Sequence, residues 1–187
     1  MENKLKFQPF PILETERLLL RAPKKSDAKG FFPIQSDVKN RQFMDAPIAK
    51  TVEDSKGFVG MITGGIRRNT WVYWVIILKE TNEMIGTVCY WNLSDNNFTA
   101  EVGYELNANF QRKGYMREAL ECVLSFGFNT LNFNKIEAYT HTENAASIAI
   151  LKRFNFEFKK EKKEIHSTTA VQYTIGVYDL EKSQFSH

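Results

Sequence analysis

Three clusters in this 187-residue sequence combine residue types and spacing fit for chemistry: two carboxylates four residues apart, a cation pair followed by glycine, and an Asn-Ala-Ala-Ser run. In "EVGYELNANFQRKGYMREAL", Glu101 to Leu120, an alternating extended run passes into a helical one. Side chains alternate across a strand, so Glu101, Gly103 and Glu105 share one face while Val102, Tyr104 and Leu106 share the other. Either carboxylate could accept a proton from an attacking nucleophile. After them, Gln111, Arg112, Lys113 and Gly114 occupy a strand-to-helix junction. The first amides of a helix lack intrahelical partners and sit at the positive end of its dipole, so this junction suits an anion, and a pyrophosphate is a natural guest. In "NAAS", Asn144 is placed as an N-cap and Ser147 falls one turn into a helix, where a hydroxyl can cap or donate a proton.

These side chains must be held by strands and helices, and the sequence marks them. "ERLLLRAP" from Glu16 reads as a strand closed by Pro23; Ser26 and Asp27 then offer caps for a helix carrying Phe31 and Phe32, which Gly30 and Pro33 are expected to break. From Thr51 to Arg68 a helix is expected, opened by an approximate capping box of Thr51 and Asp54 and loosened at Gly64 and Gly65. Two strands follow around a turn near Thr81 and Asn82, then a polar turn at "SDNN", then a third strand, "FTAEVGYEL". In the helix that begins near Gln111, Met116, Leu120, Val123, Leu124, Phe128 and Leu131 recur at steps of three and four and describe one buried stripe. "NKIEAYTHT" is the next strand, "NAASIAILKRF" a helix, and the remainder a long hairpin. The strand-helix-strand step from Glu101 to Tyr139 makes those two strands parallel by a right-handed crossover. Hairpins on either side make the sheet mixed.

Length and composition fit one globular domain with a full core: 43% hydrophobic, 13% aromatic and 25% charged residues. A formal charge of +3 falls short of a dedicated nucleic-acid surface. Cys89 and Cys122 lack metal-ligand spacing and read as reduced core thiols, with no metal expected. The N-terminus has prolines where a signal sequence would be apolar, and no run reaches the roughly 18 apolar residues of a membrane span, so a soluble, cytoplasmic chain is expected. On residues alone the junction at Gly114 could equally be a solvated turn. It lacks the further glycines of a dinucleotide fingerprint and the Gly-Lys-Ser/Thr ending of a P-loop.

"GYELNANFQRKGYMREAL" resembles motif A of the GCN5-related N-acetyltransferase (GNAT) family, whose Q/R-x-x-G-x-G/A pattern falls here on Gln111, Arg112, Lys113, Gly114, Tyr115 and Met116. "TERLLLR", "MIGTVCY", "NKIEAYT" and "NAASIAILKRFNFEF" are similar, in order, to further blocks of its ribosomal-protein serine/alanine acetyltransferase-like branch. The resemblance implies an α+β fold: a mixed, mostly antiparallel sheet of about seven strands, splayed between strands four and five and flanked by about four helices. It implies one domain over 1–187, with 1–14 as an N-terminal extension. It also implies acetyl-CoA as co-substrate, with the pyrophosphate on residues 111–116. Backbone groups around Leu106 and Asn107 would bind the pantetheine and polarise the thioester carbonyl, and Asn144 would contact the pantetheine. Glu105 is the first choice of base, Glu101 the second, and Ser147 the proton donor to the thiolate.

Two positions depart from the family pattern. Met116 stands where Gly or Ala is usual, and Asn155 where Gly usually follows the fourth helix. The first is expected to turn into the core and the second to tolerate a left-handed turn. His141 lies near the expected opening, Tyr178 reads as a core residue, and the mixed-sign run "KKEKKE" as a solvated face. The acceptor groove is expected along the first two helices, with Phe43, Met44, Asp45, Trp71 and Tyr73 near it. The resemblance favours a protein N-terminus starting with Ser or Ala as acceptor, with polyamines, amino acids and aminoglycosides as small-molecule alternatives. A catalytically silent acetyl-CoA-binding module and an RNA-associated protein are the other readings. No DNA or membrane partner is expected, and a homodimer is possible.

Overall fold

The structure, a computed structural model, describes residues 7–94, 98–167 and 169–185; the polar turn expected at "SDNN" falls largely outside them. Among these residues eight strands form one sheet in the order β1-β2-β3-β4-β5-β6-β8-β7. Their bounds are β1 Leu13–Glu14, β2 Leu18–Arg21, β3 Val72–Leu78, β4 Glu83–Ser94, β5 Thr99–Leu106, β6 Lys135–His141, β7 Glu157–Ile165 and β8 Gln172–Glu181. The strand beyond the expected seven is β1, which pairs Leu13 with Leu20. Phe7 is also buried in the core, so the segment read as an extension contributes structure from residue 7 onward. Every ladder is antiparallel except β5 with β6.

Among the described residues five α-helices cover the sheet: α1 Ala28–Gln35, α2 Val38–Arg41, α3 Val52–Arg67, α4 Tyr115–Ser125 and α5 Ala145–Arg153. On one face, α1 and α3 pack Phe31, Ile34, Val59 and Ile62 against Tyr73, Val75, Ile77 and Cys89. On the other, the predicted stripe of α4 buries Met116, Leu120, Val123 and Leu124 against Trp74, Val88, Tyr90 and Val102. The chain therefore has a three-layer architecture with an apolar core on each side of the sheet.

Glycines and proline behave differently here from their local propensities. The break expected at Gly30 and Pro33 does not occur; α1 runs through both and stops at Gln35, and Asp37 then caps α2 by accepting from the Lys39 and Asn40 amides. Gly30 is where the helix meets β4: an added Cβ would lie 2.8 Å from that of Met84. The Thr51–Asp54 capping box forms as expected, but α3 continues through Gly64 and Gly65 because the Trp71 ring packs where a Gly65 side chain would be. Trp71 thereby packs against the core, and Tyr73 is buried within it on the face that carries Glu105. Packing overrides propensity in both helices.

Met116 is buried, as its place in the stripe requires. Asn155 takes φ 62°, with the Phe156 amide bonded to the Leu151 carbonyl at 3.0 Å, and so ends α5 as a glycine would. Tyr178 is a core residue and the lysine-rich β7 is exposed along most of its length. Cys89 is buried, whereas Cys122 on α4 is only half-buried. Among the described residues no helix is long and apolar enough to cross a membrane.

Candidate active site

The site begins where two strands part. β5 and β6 pair through three residues only, Thr99 with Lys135, Ala100 with Ile136 and Glu101 with Glu137. Beyond that rung β5 runs on to Leu106 along β4, while β6 runs to His141 along β8. The splay expected between the fourth and fifth strands is this slot, renumbered by the presence of β1. The Asn107 amide donates to the Ile85 carbonyl at 2.8 Å, on the β4 side. Amides alternate along a strand, so those of Leu106 and Tyr104 point to the opposite, open edge. This narrows the expected backbone donors: Leu106 offers its N–H to the slot, whereas that of Asn107 is taken, and the Asn107 side chain accepts from the Asn109 amide at 3.0 Å.

The two faces of β5 bring different chemistry to this slot. On the α1–α3 face, Glu105 accepts from Arg41 of α2 at 2.9 Å. Burial raises the Glu105 carboxyl above its usual range, and the adjacent Arg41 guanidinium pulls the other way. Glu101 lies on the same face but about 13 Å back along the strand, at the closed end of the ladder. Burial raises its carboxyl too, while a hydrogen bond from Asn92 at 2.8 Å opposes the shift.

On the α4–α5 face, the Tyr104 and Ser147 hydroxyls lie 2.8 Å apart. Asn144 caps α5 by accepting from the Ser147 amide at 3.1 Å. Burial pushes the Tyr104 phenol up to about 12, against the opposing effect of the Ser147 hydrogen bond. Sequence reasoning missed Tyr104 and Arg41. The alternation that places Tyr104 opposite Glu105 was visible, but its contact with α5 was not. Nothing local ties Arg41 to a residue 64 positions away.

At the junction, Gly114 is the N-cap of α4 with φ +83°, and Arg112 also has a positive φ of 61°. The helix therefore starts at Tyr115, just after the turn expected at Gln111 to Gly114 and one residue before the first position of the stripe. The Glu118 amide bonds to the Gly114 carbonyl at 3.1 Å, which leaves the Tyr115, Met116 and Arg117 amides at the open end of the helix. Gln111 bonds to Asn40 at 2.9 Å and to the Leu106 carbonyl at 3.2 Å, fastening the loop to the end of β5. Lys113 lies over the Phe110 ring at 5.3 Å. Arg17 braces the loop, with Nη1 on the Lys113 carbonyl at 3.1 Å, Nε on Glu118 at 2.6 Å and its guanidinium 4.6 Å above the Tyr115 ring.

The slot's far end is roofed by contacts between the α2–α3 loop and the β7–β8 hairpin. Asp45 accepts from the Ser167 amide and hydroxyl at 2.9 and 2.7 Å, and lies 3.3 Å from His166. The His141 ring lies 5.2 Å from Phe43 and stacks on Tyr173 at 5.8 Å. His141 is thus held in an aromatic group at the mouth.

A left-handed glycine opening a basic helix N-terminus, beside a sheet slot with an unpaired amide edge, fits an acyl carrier that has a pyrophosphate and an extended amide arm. Such a carrier is the donor of an acyl-CoA-dependent transferase. Residues 17–157 match the family model described as "Acetyltransferase (GNAT) domain", and the chain belongs to that family of acyltransferases. It is similar to the N-acetyltransferase p20 of Bacillus licheniformis, 31% identical over 175 residues that cover 93% of this chain and 98% of the relative. The fold is similar to RimL, a ribosomal L7/L12 α-N-protein acetyltransferase solved with coenzyme A, with a TM-score of 0.80 and 20% identity over 91% of this chain and 98% of that one. It is likewise similar to a ribosomal-protein-S5-alanine acetyltransferase from Vibrio fischeri, with a TM-score of 0.77 and 22% identity over 95% and 100% of the two chains. The chain is an N-acetyltransferase with acetyl-CoA as its acetyl donor.

Proposed function

We propose that this enzyme acetylates the α-amino group of a protein chain, one beginning with Ser or Ala, by direct transfer. The observation that carries the reading is the slot between β5 and β6, with Glu105 on one face and the Ser147–Tyr104 pair on the other. Acetyl-CoA, when bound, supplies an acetyl group activated as a thioester. Gln111, Arg112, Lys113, Gly114, Tyr115 and Met116 form the loop and helix start for its pyrophosphate, with Asn144 at the head of α5 toward the pantetheine. The Leu106 amide donates to the thioester carbonyl oxygen, where negative charge develops. Glu105 takes a proton from the attacking amine, and Ser147, backed by Tyr104, gives one to the departing sulfur. An α-amino group titrates near 7.7 to 8.0, against about 10.4 for lysine, so a carboxylate with a raised pKa suffices as base.

The acceptor class draws support from the two ribosomal-protein acetyltransferases whose fold this chain shares. The roof of Phe43, His141 and Tyr173 adds a mouth that suits a slender chain end better than a side chain on a folded surface. The test is acetyl-CoA-dependent thiol release against Ser- and Ala-starting peptides, free amino acids, spermidine and aminoglycosides, with a cofactor-binding control. Release with the peptides is expected. Release confined to a small amine would replace the acceptor, and binding without release for any acceptor would favour a silent module.

A further inference from the structure

The short helix α2 clamps the end of β5 twice: Asn40 donates to the Leu106 carbonyl at 2.9 Å and Arg41 to Glu105 Oε1 at 2.9 Å. Asp37 pins the helix by its cap, and Arg41 Nη2 reaches back to the Pro47 carbonyl at 3.2 Å. The Arg41 side chain is 5% exposed and that of Glu105 17%, so the open part of the pair belongs to the carboxylate. Among the described residues the carboxylate is met at Oε1, by Arg41, while the buried Arg41 Nε finds no acceptor. A buried N–H without a partner is destabilising, and a position serving stability alone would favour an apolar side chain.

We propose that Arg41 is a positioning residue for Glu105, fixing the carboxylate through Oε1 so that Oε2 faces the acceptor amine, and keeping it ionised within an apolar wall. This rests on the reading of Glu105 as base. Tyr73 from β3 and Cys89 from β4 also face Glu105, and burial pushes both well up, so they stay neutral. Glu101 is the nearest carboxylate on the strand itself, about 13 Å away. Arg41 is therefore the formal charge set against Glu105, and it opposes the upward push of burial on that carboxyl.

The test compares kcat/KM against pH for the unsubstituted enzyme, Arg41→Gln, Arg41→Lys and Glu105→Gln, using one acceptor. The acceptor's own titration is common to all four and cancels in each variant-to-parent ratio. An opposite charge at this range lowers a carboxyl by about 1 to 3 pK units, so Arg41→Gln should move the enzyme's acid limb up by that amount. Its activity, reduced on the acid side of the displaced limb, should recover as pH rises, which damage to the fold alone would not produce. Arg41→Lys keeps the cation and should keep the limb within about half a unit of its original place. A limb that vanishes in Glu105→Gln but stays put in folded Arg41→Gln overturns the role of Arg41 and leaves the base assignment standing. A limb that persists unchanged in Glu105→Gln removes the base itself. Should Arg41→Gln not fold, a full-unit displacement in folded Arg41→Lys overturns the proposal and an unmoved limb supports it.

Discussion

Gly114→Asp places a carboxylate where the pyrophosphate is assigned, and its effect can be worked from the backbone. Two penalties combine. Gly114 sits at φ +83°, a region that costs an L-residue roughly 1–2 kcal/mol. An added Cβ would meet Arg17 Nη2 at 3.4 Å, an ordinary contact, so bulk adds little. The second penalty is charge: an anion about 4 Å from a phosphate oxygen is repelled by about 4 kcal/mol at an effective dielectric constant of 20. Arg17, already tied to Glu118 and the Lys113 carbonyl, would offset part of that. Weakening of acetyl-CoA binding by about a hundred- to a thousandfold is expected, each 1.4 kcal/mol being a factor of ten. Calorimetric titration with acetyl-CoA and with S-acetylpantetheine, which has no pyrophosphate, separates the contributions, and Gly114→Ala isolates the backbone strain. The aspartate should weaken acetyl-CoA far more than S-acetylpantetheine. Equal losses for both ligands, or none for either, would refute the placement of the pyrophosphate at this helix.

Three further substitutions probe other parts of the molecule. Ser147→Ala should slow turnover on the order of a hundredfold while leaving acetyl-CoA affinity within a fewfold, since proton transfer contributes at that scale; an unchanged kcat would assign the proton to another donor. Asn155→Ala should lower stability by roughly 1–2 kcal/mol at its left-handed φ, whereas Asn155→Gly should hold it, and a denaturant midpoint distinguishes them. Burial tends to raise the Glu118 carboxyl, but hydrogen bonds from Thr15 and Arg17 outweigh it and hold the group below its usual value. Its contribution is therefore full above the unfolded-state pKa and lost as pH falls through the lower folded value. Glu118→Gln should reduce stability at neutral pH and flatten the acid decline, which thermal melts across that range would reveal; a parallel curve would contradict it.

The parts of this enzyme that follow local rules were legible in its sequence. The stripe of α4, the Thr51–Asp54 box, the Asn144 cap and the left-handed Asn155 each depend on residues within a turn or two of one another. The parallel β5–β6 step followed from chain order and handedness. What escaped was set by tertiary packing, most of it between residues distant in sequence. Gly64 and Gly65 stay helical because Trp71 folds back onto the second, and α1 crosses Gly30 because β4 needs close approach there. Arg41, Asn40 and Tyr104 join the site through partners 64, 66 and 43 positions away, beyond any periodicity. The candidate carboxylates, the turn at Gly114 and the Asn144–Ser147 pair could be read from the sequence as candidates, but the contacts through Arg41, Asn40 and Tyr104 that hold them together could not.

The three-rung ladder between β5 and β6 also bears on how this catalyst tolerates substitution. The donor proposed for the thioester, the Leu106 amide, is left over when two strands diverge, a group supplied by every residue type except proline. Exchanging the side chain at Leu106 alters the fit of the slot but not the presence of that N–H. On that proposal activity at this point is insured against most missense changes, and its weak positions are those that would close the gap: an extra rung joining β5 to β6 is expected to silence the enzyme with every proposed catalytic side chain still in place.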